Sequence, residues 1–410
     1  MNSYLGELRV HWRPLLSVVL GLSSGLVLTS FVIGIMGNYL VAEFKWPKEQ
    51  MAIVGVLALG AVLLFPLVGR MADVHGVRKT AMIGVISSPI IYLALSRIET
   101  LAAYAALYAL QLSVLATTTP PVYCRIIVQY FEQARGLALG IATAGPAVTV
   151  AIGGPILNNF VTDHGWRVGY VVVAVFTGLV GIIGLLMLPP EQQGGQTTLT
   201  RPKTARKDYA RIFRSRVFWI LIVGILLCNL PQWVIMSQLG LILAENGASG
   251  KDASIMVSAL AGGTMAGRLI SGLALDRFPA SWIATISLAI SGFGLIVIAS
   301  DFDARLALFL SILLFGMSIG AESDVFAYIV VRNFGVKIYS SVHSILATST
   351  TIATVLGSVI LSLSLSRFGL YWQFLGGTGA LVVVASFLFL LIPKNPEFED
   401  DLVELETQVT

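Results

Sequence analysis

Gly69-Arg70-Met71-Ala72-Asp73-Val74-His75-Gly76-Val77-Arg78-Lys79 is the stretch that decides the fold. It joins two apolar runs, roughly 51–69 and 80–97. A Gly near a helix end permits close helix approach. The Asp after it can meet a helix N-terminus or a nearby Arg. Basic residues then complete a tight turn. The same order returns as Gly272-Leu273-Ala274-Leu275-Asp276-Arg277-Phe278, where Gly272, Asp276 and Arg277 keep the pattern. Such a contact holds two helices together in one conformation and releases them in another. Gly69, Asp73, Gly76, Arg78, Lys79, Gly272, Asp276 and Arg277 are therefore expected to act in gating, joined by Arg125 and Arg135.

Composition explains why these turns connect membrane spans. Of 410 residues, 12% are charged and 56% hydrophobic, and the mean hydropathy is +0.85. A soluble chain of this length needs a charged skin that this one lacks. A cytosolic enzyme, a disordered regulator and a secreted disulfide scaffold are excluded. Cys124 and Cys228 lie in or beside apolar runs and offer neither a disulfide framework nor metal spacing. The pI near 9.0 comes without the basic and aromatic block that nucleic acid would require.

A transmembrane helix takes about 20 apolar residues. Twelve runs qualify: 15–41, 51–69, 80–97, 101–123, 136–159, 168–188, 217–244, 253–275, 281–299, 305–328, 340–365 and 371–393. They are continuous rather than alternating, so helices are expected and not a barrel. The first run is too long for a cleaved signal. With both termini inside, cytoplasmic segments hold about 18 of the 26 Lys and Arg residues. The chain reads as an all-α polytopic membrane protein, twelve transmembrane helices in two six-helix bundles. The N-terminal bundle is 1–188 and the C-terminal bundle 217–393. Between them lies a cytoplasmic basic linker, 189–216, whose basic end is expected to lie against anionic lipid. An acidic cytoplasmic tail, 394–410, ends the chain.

The loop pattern, its second copy and the 6+6 plan resemble the major facilitator superfamily. Four further places are similar to its monocarboxylate and oxalate/formate-type transporters. Glu43-Phe44-Lys45-Trp46-Pro47-Lys48 resembles their "EFGWSR" turn. Arg135-Gly136-Leu137-Ala138-Leu139-Gly140 begins a stretch close to "RRGLALGIAxAG". Arg268 stands in span eight, where that family binds its carboxylate, and Glu322-Ser323-Asp324 with Asn333-Phe334-Gly335 resembles bacterial members. Thr264 holds the place where animal members have an Asp, Gln238 stands where bacterial relatives often have a His, and residues 340–365 contain no Lys. The resemblance implies the major facilitator fold, alternating access and a functional monomer.

Arg268 is the most informative residue. A guanidinium within a span must face water or a partner. It binds a carboxylate through two donors and never loses its charge, which suits a substrate anchor. The alternative is a structural ion pair with another helix. Asn229, Gln232 and Gln238 lie on span seven, which Pro231 bends, and can bond substrate or join helices. Tyr123, after the Pro120-Pro121 pair, is a candidate cavity residue; Thr29 and Ser30 lie near mid-membrane on span one. Glu322, Asp324 and His343 are the candidates for carrying a proton, against structural pairing for the acids and a surface position for the His.

No Walker motif, catalytic cluster or metal cluster is visible, so an enzyme, a cofactor and a bound metal are not expected. Gradients must supply the energy. The leading reading is a secondary transporter of a small organic anion, a monocarboxylate or an aromatic acid, in the cytoplasmic (inner or plasma) membrane. Proton symport fits, because anion uptake against a negative-inside potential needs a balancing cation. Oxalate/formate-type anion exchange and drug or cation efflux by proton antiport are the alternatives. The latter calls for an acid in the N-terminal cavity, and spans one, four and five offer none. The expected partners are the carboxylate, protons and the lipid bilayer.

Overall fold

The computed structural model describes residues 4–46, 60, 63–189, 204–245, 250–300 and 305–393. Most of the expected second span, the first half of the linker and the acidic tail lie outside them. Among the described residues there is no strand. The helices are α1 (Tyr4–Val10), α2 (Trp12–Ser23), α3 (Leu26–Phe44), α4 (Phe65–His75), α5 (Val77–Leu95), α6 (Leu101–Leu115), α7 (Pro120–Tyr130), α8 (Arg135–His164) and α9 (Trp166–Met187). They continue as α10 (Thr204–Arg214), α11 (Arg216–Cys228), α12 (Gln232–Glu245), α13 (Gly250–Leu275), α14 (Ala280–Ile298), α15 (Arg305–Phe334), α16 (Tyr339–Phe368) and α17 (Trp372–Ser386). Ten described helical stretches are long and apolar enough to cross a membrane. Side chains such as Ile152, Ile156, Leu179, Leu186, Leu363 and Val384 stay exposed on them, as a lipid solvent allows.

Local chemistry sets the breaks. Span four stops at Leu115 and resumes at Pro120, with Pro120 and Pro121 in the first turn of α7, where a missing N–H costs nothing. The hydroxyls of Thr117, Thr118 and Thr119 take the carbonyls of Val114, Leu115 and Ala116 at 2.6–2.8 Å. Span seven divides into α11 and α12 around Asn229-Leu230-Pro231. Span one, expected to be continuous, also divides, at Ser24-Gly25. Ser24 Oγ bonds back to the Leu20 carbonyl at 3.0 Å, and a Cβ on Gly25 would come within 2.8 Å of the Thr118 carbonyl. The linker, read as a plain connector, contains a helix, α10.

The chain forms two compact units. One comprises Met1–Ala134, Ile141–Gln192 and Val336–Ile345; the other comprises Arg135–Gly140, Gln193–Gly335 and Leu346–Thr410. The first turns of α8 thus belong with the second unit, and the first turns of α16 with the first. In the first unit Val32, Met36 and Leu40 of α3 pack with Tyr92, Tyr104, Trp166 and Tyr170. The core of the second unit joins Ile235 and Leu239 of α12 to Leu260, Leu295, Ile312, Phe315 and Phe374.

Candidate functional site

Within the second unit, glycine spacing brings α13 and α15 together. Gly263 and Gly267 face the α15 backbone, and Gly316 and Gly320 face that of α13. A Cβ on Gly267 would collide with Met317, and one on Gly320 with Thr264. Backbones meet this closely only where small residues recur every fourth position. The crossing sets Arg268 of α13 opposite Asp324 of α15.

Arg268 Nη1 lies 3.9 Å from Asp324 Oδ1. That separation gives Coulomb attraction without a hydrogen bond. Arg268 Nε and Nη1 are buried and make no hydrogen bond among the described residues. The Arg268 side chain is 19% exposed, against 1% for Asp324. The guanidinium faces a carboxylate at a distance, and its buried Nε and Nη1 donors, of the kind that bind a planar anion, carry no hydrogen bond among the described residues.

Glu322, two residues before Asp324, points elsewhere and is also buried. Its Oε1 accepts a bond from Asn229 Nδ2 at 2.6 Å, and the same amide group donates to the Ile225 carbonyl at 3.0 Å. Two residues that the sequence assigned to different tasks, substrate contact and proton transfer, therefore sit together at the break in span seven. Gln238 accepts from the Tyr371 hydroxyl at 2.6 Å. Gln232 is half-buried in the first turn of α12.

The first unit places the other candidates. Asp73 pairs with Arg125 and accepts the backbone N–H groups of Ser340 at 3.1 Å and Ser341 at 2.7 Å. Arg125 also donates to the Val336 carbonyl at 2.7 Å. One carboxylate thus takes two orphan donors at the start of α16, where the helix dipole favours an anion. Gly69 lets this happen, since a Cβ there would collide with Ser340 and Ser344. Gly76 turns the chain from α4 into α5 at φ 87°, a left-handed conformation that glycine adopts freely. Arg78 and Lys79 are exposed beyond it. His343 is buried and bonds the Tyr339 hydroxyl at 3.0 Å.

The second copy caps a different helix. Asp276 accepts from Gly136 N at 2.6 Å and Leu137 N at 3.0 Å, the first donors of α8. Gly272 permits it, because a Cβ there would come within 2.6 Å of the Gly136 carbonyl. Arg277 is exposed and Arg135 half-buried. One turn beyond Gly136, a Cβ on Gly140 would lie 2.6 Å from the Arg268 carbonyl.

Thr29 is buried and shares a 2.6 Å hydrogen bond with the Tyr92 hydroxyl. The side chain of Ser30 lies outside the described set. Tyr123 is fully buried against Gly21, and its hydroxyl has no hydrogen-bond partner among the described residues. Sequence reasoning passed over Glu7, whose buried carboxylate accepts from Glu132 N and Ala134 N. Its partners are remote in sequence, and no local signal marks it. The glycine spacing that pairs Arg268 with Asp324 was, by contrast, there to be read.

The description "Major Facilitator Superfamily" matches the chain over residues 15–237 and again over 223–408. Monocarboxylate transporter 11 of Mus musculus is 26% identical over 260 residues, covering 63% of this chain and 57% of that protein. The MFS-type transporter pytF of Aspergillus terreus is 24% identical over 156 residues, 37% of this chain and 50% of that one. The chain thus spans little more than half the length of these two relatives. Among solved structures, FucP in the outward conformation aligns with a TM-score of 0.74 at 11% identity, over 92% of this chain and 98% of that one. The fucose:proton symporter FucP of E. coli aligns at 0.72 with 12% identity and the same coverage. These two likenesses speak to the fold alone. The family match covers nearly the whole chain, and the described helices are apolar enough to span a membrane many times: the chain belongs to the Major Facilitator Superfamily and resembles its monocarboxylate group.

Proposed function

We propose that this transporter carries a small organic anion, a monocarboxylate or an aromatic acid, by proton-coupled symport with alternating access. The observation that carries the reading is Arg268, a half-buried side chain whose Nε and Nη1 donors are buried and unbonded among the described residues, with the Asp324 carboxylate 3.9 Å away. A substrate carboxylate can take those donors while Asp324 balances the remaining charge. Asp324 and Glu322, with His343 as a further candidate, are the groups assigned to the proton. The likeness to monocarboxylate transporter 11 supports the substrate class. We place the protein in the inner or plasma membrane with both termini cytoplasmic, acting as a monomer. Asp73 with Arg125, and Asp276 with the start of α8, then form the cytoplasmic gate.

The test is uptake of radiolabelled pyruvate and benzoate into proteoliposomes under an imposed inward proton gradient. Accumulation that a protonophore collapses is the expected result. Uptake that needs a preloaded anion and ignores the proton gradient would replace symport with exchange. No carboxylate uptake in either arrangement would overturn the substrate class.

A further inference from the structure

The start of α8 draws on two carboxylates, and only one belongs to a loop motif. A helix leaves its first N–H groups without intrahelical partners. Ala134, the residue before α8, supplies no side-chain acceptor. Asp276 takes the Gly136 and Leu137 donors. Just upstream, Glu7 Oε1 accepts from Glu132 N at 2.8 Å, and Glu7 Oε2 from Ala134 N at 2.7 Å. Both oxygens of a buried carboxylate are thus spent on the turn that leads into the helix.

Glu7 has no basic partner among the described residues. A carboxylate buried in this way persists only where hydrogen bonds and a favourable dipole offset its desolvation. Its surroundings are tied to the same turn. The His11 ring meets Tyr130 and Phe131 edge-on, with centroids 5.7 and 5.6 Å apart. Farther along, Ser17 Oγ on α2 bonds the Gly184 carbonyl of α9 at 2.8 Å. The N-terminal segment is therefore fastened within the first unit, while Asp276 and the Gly136 and Leu137 donors belong to the second.

We propose that Glu7 is a positioning residue of the gate. It keeps the turn before α8 folded when Asp276 lets go, so the Gly136 and Leu137 donors stay assembled for its return. The residues just before α8 have no intrahelical bond of their own to hold them, and Glu7 supplies that hold. The proposal rests on Asp276 acting as a releasable gate contact and is independent of which anion is carried.

Hydrogen exchange of the full chain in lipid nanodiscs tests it without any substrate. The protein is compared with Glu7→Ala, Glu7→Gln, Asp276→Asn and the Glu7→Ala/Asp276→Asn double variant. In Asp276→Asn, Gly136 and Leu137 should exchange faster while Glu132 and Ala134 stay protected. In Glu7→Ala, exchange should rise at Glu132 and Ala134, and also at Gly136 and Leu137 despite an intact Asp276. Losing charge-assisted bonds of this kind predicts a change of about tenfold. Glu7→Gln keeps an acceptor and should fall between. Faster exchange confined to Glu132 and Ala134 would overturn the proposal, reducing Glu7 to a clasp for the N-terminus. If Glu7→Ala unfolds broadly, Glu7→Gln decides: unchanged exchange at Gly136 and Leu137 refutes the positioning role.

Discussion

The two units bury different kinds of polarity. In the first, the interior bonds are neutral, as in Thr29 with Tyr92 and Gln111 with Ser88 at 2.7 Å. Its described buried charge lies at helix ends, where Asp73 meets Arg125 and Glu7 meets backbone amides. In the second, charge lies along the spans themselves, with Arg268 and Asp324 at a glycine crossing and Glu322 at a helix break. The loop motifs recur in both halves of the chain, whereas the buried span charges do not. Conformational machinery can be duplicated with the fold, but recognition of an anion needs a cation in only one place.

Breaking this contrast should cost most at Arg268. Arg268→Ala should lower carboxylate uptake by about 10- to 100-fold, the worth of charge-assisted hydrogen bonds. The variant also removes the charge that faces the buried Asp324, so its folding is checked by thermal unfolding, and Arg268→Lys, which keeps the charge, separates lost donors from lost stability. Next comes Asp73→Asn, which removes the charge partner of a buried Arg125 and should destabilise the protein by about 3 kcal/mol. The loss of thermal stability in detergent should exceed that of Asp276→Asn, which weakens a helix cap by about 1 kcal/mol. Equal losses would mean that the Arg125 pair adds nothing to the first copy of the motif. The smallest effect belongs to Thr29→Val, which removes one neutral bond worth about 1 kcal/mol and should leave uptake intact. A large uptake defect in that variant would place substrate chemistry in the first unit as well.

How much the sequence disclosed depended on range. The loop motifs were legible because Gly, Asp and basic residues in a tight turn are a local signature. Arg268 stood out because lipid tolerates so few charges. Asp324 was visible as an acid but not as its partner, since that pairing requires Gly263, Gly267, Gly316 and Gly320 to bring two backbones together. The pairing of Asn229 with Glu322 spans 93 residues, and that of Glu7 with Ala134 spans 127. Periodicity carries no information at such separations. The break at Ser24-Gly25 escaped for another reason: an apolar run reads as one helix until a packing contact selects the place where it bends.

The central claim is that an organic anion is held by Arg268. Calorimetric titration of the purified protein with pyruvate and with benzoate, repeated on Arg268→Ala and Arg268→Lys, tests it most directly. The account predicts binding of at least one carboxylate by the native protein, weakened by Lys, which cannot offer two coplanar donors, and weakened most, by about 10- to 100-fold, by Ala. Undiminished carboxylate binding by the folded Arg268→Ala variant would contradict it.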